Sequence, residues 1–174
     1  MGRRQGTMGG MVLAGVVVAG LLVAGSACSA ASQPKGRPKA PRIQATALGG
    51  RSVDTNTLGG RIVIVDFWAT WCPPCREEIP HFAALYAKYQ PRIEILGVSL
   101  DDGGEAVVAP FLREQRVTYP VIMGTEAMAA AFGGIRGLPT TFVIDQQGRI
   151  YKKYVGYQEA QTFERDIAAL LKET

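Results

Sequence analysis

Two cysteines spaced two residues apart, in Trp71-Cys72-Pro73-Pro74-Cys75, lie between two different hydrophobic patterns. Before them, residues 61–68 (RIVIVDFW) form a β-branched, nearly continuous apolar run, the pattern of a strand covered on both faces. After them, Ile79, Phe82, Ala83, Leu85, Tyr86 and Tyr89 recur at helical spacing. Pro73 and Pro74 suit the first turn of that helix, where a missing N–H does no harm. Pro80 falls inside it and predicts a kink. Strand, tight turn and helix in this order demand an α/β arrangement in which the cysteines sit at the end of a buried strand.

The rest of the chain extends the pattern. Residues 42–53 read as a short hairpin turning at Gly49-Gly50, and 54–58 as one helical turn. Residues 93–100 (IEILGVSL) predict a second buried strand, 105–115 a helix, 119–123 a strand and 126–132 a helix. Residues 140–145 and 149–156 predict a hairpin turning at Gln146-Gln147-Gly148, and 160–172 a closing amphipathic helix. The expected fold is a mixed central sheet flanked by helices, preceded by an N-terminal hairpin.

The spacing of Cys72 and Cys75 has a chemical reason. On a first helical turn residues i and i+3 face the same side, so two sulfurs can meet in a disulfide. The N-terminal cysteine lies near the positive end of the helix dipole, which favours its thiolate. A thiolate attacks and a low-pKa thiol leaves, so one position serves both halves of thiol–disulfide exchange. A structural zinc site needs four ligands, and His81 and carboxylates are the only other candidates. A purely structural disulfide would close a trivial loop and constrain the unfolded chain little.

The charge is unevenly spread. The 174 residues carry a net +4, yet residues 1–42 hold six basic residues and no acidic one, leaving 13 basic and 15 acidic residues in the remainder. A nucleic-acid partner is therefore not expected for the folded part. Arg3 and Arg4 precede the apolar run MVLAGVVVAGLLVAG (11–25), the charged and apolar regions of an export signal. Residues 8–27 also just reach the ~20 apolar residues of a membrane span. Ala24-Gly25-Ser26-Ala27-Cys28 resembles a bacterial lipoprotein signal with Gly25 in place of the usual Leu, which makes Cys28 a lipid-attachment candidate. Cleavage after Ala27 without acylation, giving a secreted form, and an uncleaved anchor are the alternatives. The expected organisation is an export signal or anchor over 1–27, a flexible basic tether over 28–42 that can rest on anionic lipid, and one domain over 43–174.

Three blocks in this order resemble the thioredoxin superfamily: residues 65–75 (VDFWATWCPPC), Pro80 in the following helix, and residues 134–142 (GIRGLPTTF). The resemblance runs from about residue 62 to the C-terminus and implies a thioredoxin fold. It also implies a cis bond at Leu138-Pro139, packed against the cysteine pair, with the Leu138 backbone pairing with a substrate strand. Residues 72–80 (CPPCREEIP) and the extra αβ segment over roughly 100–123 resemble the membrane-tethered, extracytoplasmic branch, which includes the thiol-disulfide reductases of cytochrome c maturation. That branch implies exported client proteins with cysteines such as apocytochrome c, a membrane electron-donor protein, attachment to the cytoplasmic membrane through the N-terminus, a monomer, and neither cofactor nor metal.

By the same resemblance Cys72 attacks and Cys75 resolves. Asp66, which interrupts an apolar strand, accepts the Cys75 proton. Its alternative is a strand-end carboxylate bonded to backbone. Glu78, three residues past Cys75, tunes the thiols or positions a client, against the alternative of an exposed helix carboxylate. Trp71, Pro73, Pro74, Leu138 and Pro139 form the substrate rim. Trp68 is expected in the core and His81 on the helix surface, whereas Arg76, Met123 and Tyr157 carry no distinct signal. The rival readings are an oxidase running the same chemistry backwards, a non-catalytic binding module, and a thiol peroxidase.

Overall fold

The computed structural model describes residues 36–173. The expected export segment, Cys28 and most of the expected tether lie outside these residues. Among the described residues no helix is long and apolar enough to cross a membrane.

Strands β1 (Gln44–Thr46) and β2 (Ser52–Asp54) form the N-terminal hairpin, followed by a 3-10 turn at Thr55–Thr57. The main elements are β3 (Ile62–Trp68), α1 (Pro73–Tyr89), β4 (Ile93–Ser99), α2 (Glu105–Glu114), β5 (Val121–Met123), α3 (Glu126–Ala131), β6 (Thr140–Ile144), β7 (Ile150–Val155) and α4 (Ala160–Leu170). The main sheet runs β5-β4-β3-β6-β7. β3 is parallel to β4 and antiparallel to β6. The segment α2–β5 adds an edge strand parallel to β4. This is the mixed sheet of the thioredoxin fold.

β3 lies at the centre, and all seven of its residues are buried, which is why its sequence reads as an unbroken apolar run rather than an alternation. Its side chains alternate between two cores. Ile62, Ile64 and Trp68 join Cys72, Cys75, Ile79, Phe82, Phe111, Phe163 and Ile167, from α1, α2 and α4. Val63, Val65 and Phe67 join Ile43 and Val53 of the hairpin and Phe132 after α3. The parity of Asp66 places it in the first core, on the side of the cysteines.

Gly97 stands opposite Asp66 in β4. A Cβ there would lie 3.0 Å from Trp68 Nε1, 3.1 Å from Val121 Cγ2 and 3.3 Å from Tyr119 Cε2. The bare backbone thus admits two aromatic side chains beside Asp66. Gly97→Ala should cost about 1–3 kcal/mol by overpacking, measured as a lower denaturant midpoint with an unchanged slope.

The chain joins the domain before residue 43, earlier than the expected boundary. Ala40 N–H donates to Gly148 O at 2.9 Å, and Ile150 N–H donates to Pro38 O at 2.8 Å. Arg37 bonds to Asp145 at 3.1 Å and to Glu173 at 2.9 and 3.0 Å, with its guanidinium 4.5 Å over the Tyr151 ring. Tether-like composition hid this contact because backbone bonds to the β6–β7 turn need no apolar side chain.

Candidate active site

Cys72 and Cys75 form a disulfide with their Cα atoms 5.3 Å apart. Cys72 is the N-cap residue of α1, and Pro73 and Pro74 open the helix. Neither proline has an N–H, so Cys75 and Arg76 supply the remaining donors of the first turn, and Arg76 N–H bonds to Cys72 O at 3.2 Å. The turn before the helix is held by Asp101. Its carboxylate accepts from Thr70 N–H at 3.0 Å, from the Thr70 hydroxyl, and from the Ser99 hydroxyl at 2.8 Å. Sequence reading passed over Asp101, though a carboxylate just past a buried strand invites the question of what it bonds.

The two cysteines face different surroundings. Cys72 lines an open groove with Trp71, Pro73, Pro74, Arg136 and Leu138. Trp71 is 66% exposed at its rim. The Leu138–Pro139 bond is cis, as is Gln90–Pro91. Pro139 itself is buried and its carbonyl accepts from Gly156 N–H at 2.8 Å. The Thr140 hydroxyl donates to Gly137 O at 2.7 Å and fixes the loop. Cys75 is buried on the inner side, in the core that also receives Asp66.

Asp66 is 1% exposed and accepts one hydrogen bond, from the Thr141 hydroxyl across the sheet at 3.1 Å. Burial pushes its pKa up to about 7, and the Thr141 bond partly opposes this. Glu78 is 0% exposed, so it is no surface carboxylate. Its Oε1 accepts from Gln158 N–H at 2.8 Å, and its Oε2 is buried without a partner. Burial, joined by the charge of Asp66, pushes its pKa up to about 8, against the pull of the Gln158 bond. Two buried carboxyl groups close enough to repel one another are thus pushed towards neutrality, the range in which a general base works best.

Trp68 is wholly buried. His81 is half-buried rather than fully on the surface; its Nδ1 is buried without a partner and its ring centroid is 6.2 Å from that of Tyr157. The Arg76 guanidinium lies 5.5 Å over the Phe111 ring. Tyr119, Thr141 and Gln158 escaped sequence reading because nothing in their local pattern marks them. Among the described residues no cluster of His, Cys, Asp and Glu could hold a metal ion.

A family model described as the AhpC/TSA family matches residues 37–153. The thiol-disulfide oxidoreductase ResA of Bacillus cereus is 32% identical over 127 residues, covering 72% of this chain and 73% of that protein. Among solved structures, a thiol:disulfide interchange protein of the thioredoxin family from Chlorobium tepidum TLS superposes with a TM-score of 0.73 at 32% identity, covering 78% of this chain and 97% of that one. A DsbF homologue from Corynebacterium diphtheriae gives a TM-score of 0.73 at 25% identity, covering 80% and 90%.

Proposed function

This chain belongs to the AhpC/TSA family within the thioredoxin superfamily and is a thiol-disulfide oxidoreductase, and from that premise we propose that it is a membrane-attached, extracytoplasmic reductase of exported proteins, apocytochrome c among them. The observation that carries the reading is the asymmetry of the cysteine pair. Cys72 lines a groove beside Leu138, whereas Cys75 does not line it and packs in the core on the face of β3 from which Asp66 projects.

The reaction follows from that asymmetry. In the reduced enzyme the Cys72 thiolate attacks a client disulfide, forming a Cys72–client bond and releasing one client sulfur as thiolate. Cys75 then gives its proton to Asp66 or Glu78 and attacks the Cys72 sulfur. The Cys72–Cys75 bond forms, the Cys72–client bond breaks, and the second client sulfur leaves. The client gains two electrons and the enzyme loses two, to be restored by a membrane electron-donor protein. Trp71, Pro73, Pro74 and Leu138 bear on the client strand, and Pro139 holds their loop from behind.

The N-terminus supports the location. Residues 1–27 act as export signal or anchor, Cys28 is the point of acylation, and the residues after Cys28 serve as the tether of the domain. Expression of Cys75→Ser in intact cells, followed by mass spectrometry of its mixed disulfides, tests the reading. Captured exported proteins with paired cysteines, haem-attachment apoproteins among them, are the expected result, and capture of none would sink it. A reduction potential near thioredoxin's about −270 mV fits a reductase, whereas one near DsbA's roughly −120 mV would reverse the direction.

A further inference from the structure

Tyr119 precedes β5 and inserts its ring into the core that also holds Cys75. The ring packs edge-on against Phe82 and Tyr86 of α1, with centroids 6.4 and 6.3 Å apart. Its Cε2 lies 3.3 Å from the Cβ position of Gly97, the residue paired with Asp66, and Trp68 Nε1 lies 3.0 Å from the same point. The Tyr119 hydroxyl and Trp68 Nε1 are both buried without a hydrogen-bond partner, as is Glu78 Oε2. Two unpaired donors and one unpaired acceptor therefore lie in the core that also holds Asp66.

An unpaired buried hydroxyl destabilises the fold, and phenylalanine would fill the same space without that cost. We propose that Tyr119 is a positioning residue for the resolving step: its O–H is the donor that receives the negative charge of the Asp66–Glu78 pair, reached by rotation of the carboxylate or through one bridging water. With the pair neutral the phenol has no anion to serve and stands unpaired. With the pair ionised, as it must be to accept the Cys75 proton, a charge-assisted bond forms and stabilises the competent base. The inference rests on the assignment of Asp66 and Glu78 as proton acceptor.

The Thr141 hydroxyl from β6 bonds to Asp66 and the Gln158 N–H from the segment after β7 bonds to Glu78, the Tyr119 phenol lies close enough to interact with both, and the Trp68 N–H from β3 lies beside the strand position paired with Asp66. His81 stands one turn along α1 from Glu78. The Tyr86 hydroxyl, also beside the Tyr119 ring, accepts from Arg51, which pairs with Glu94. Among the described residues Trp68 Nε1, His81 Nδ1 and the Tyr119 hydroxyl are the buried groups without a partner that can donate, and of these the Tyr119 hydroxyl is the one that interacts with both Asp66 and Glu78. The phenol keeps its own proton, since burial and the nearby carboxylates push its pKa up.

The test is carbon-13 NMR titration of the Asp66 and Glu78 carboxyl groups in the full-length disulfide form, where neither Cys72 nor Cys75 titrates. Tyr119→Phe should raise the midpoint of the pair by about one pH unit, a tenfold change, with thermal stability kept or increased. Fluorination of the Tyr119 ring, which strengthens the donor, should move the midpoint down. Midpoints unchanged in both proteins would overturn the proposal, even where Asp66→Asn/Glu78→Gln slows client reduction. If that double variant keeps the wild-type rate and pH profile, the assignment of the base fails as well. A merely structural Tyr119 would instead lose stability on replacement and leave the titration where it was.

Discussion

Purified Cys72→Ser is expected to reduce client disulfides no faster than the uncatalysed background, a loss of at least about a thousandfold. A serine hydroxyl at the N-cap of α1 cannot supply the thiolate that attacks, and Cys75 cannot replace it because Cys72, and not Cys75, lines the groove. Cys75→Ser should lose turnover equally but by a different route. Its Cys72 still faces the groove and still attacks, so the mixed disulfide accumulates and is seen as a covalent adduct on non-reducing gels and by intact mass. Equal adduct formation by both variants would show that the cysteines are interchangeable and that the asymmetry has no mechanistic meaning. A double Cys72→Ala/Cys75→Ala variant that kept full function in cells would instead favour a binding module.

Asp66→Asn/Glu78→Gln should be slower and more stable together. Removing the proton acceptor should cost roughly 10²–10⁴-fold in the resolving step. The stability effect follows from the direction of the shifts. Burial raises Asp66 from 3.8 to about 7 and Glu78 from 4.5 to about 8. Below about pH 3 both acids are protonated in folded and unfolded chains, and wild-type stability is at its fullest with respect to them. As pH rises the unfolded chain ionises first, so stability falls until the folded groups ionise near 7 and 8, and is flat beyond. By about pH 9 the wild type should have lost on the order of a few kcal/mol that the double variant keeps. Chemical denaturation of the disulfide forms at about pH 3 and about pH 9 checks this. Equal stability loss in both proteins would place the titrating groups elsewhere.

Such a gain in stability with loss of rate is the mark of a carboxyl pair retained for chemistry. Both residues stand where apolar side chains would pack without cost. Asp66 lies in the central strand of the sheet and Glu78 on the buried face of α1, and each has a single hydrogen bond.

Most of the scaffold was legible in the sequence because its signals are local. The unbroken run of β3 reports burial on both faces, the two prolines report a first helical turn, and i to i+3 spacing brings Cys72 and Cys75 together. Asp66 drew attention because a carboxylate inside such a strand needs a partner. Glu78 was ambiguous, since helical spacing alone leaves open which side of α1 the domain covers. The contact of residues 37–40 with the β6–β7 turn could not be read, because backbone bonds and one arginine carry it.

The sequence by itself determined the strand–turn–helix that holds the cysteines, and with it the redox chemistry, because periodicity and spacing act over a few residues. Only the tertiary structure decided what surrounds the buried carboxyl pair. Asp66, Glu78, Tyr119, Thr141 and Gln158 come from β3, α1, the segment before β5, β6 and the segment after β7. Their proximity is set by the order and register of the sheet, and the raised pKa values of the carboxyl pair arise from the burial that this packing creates.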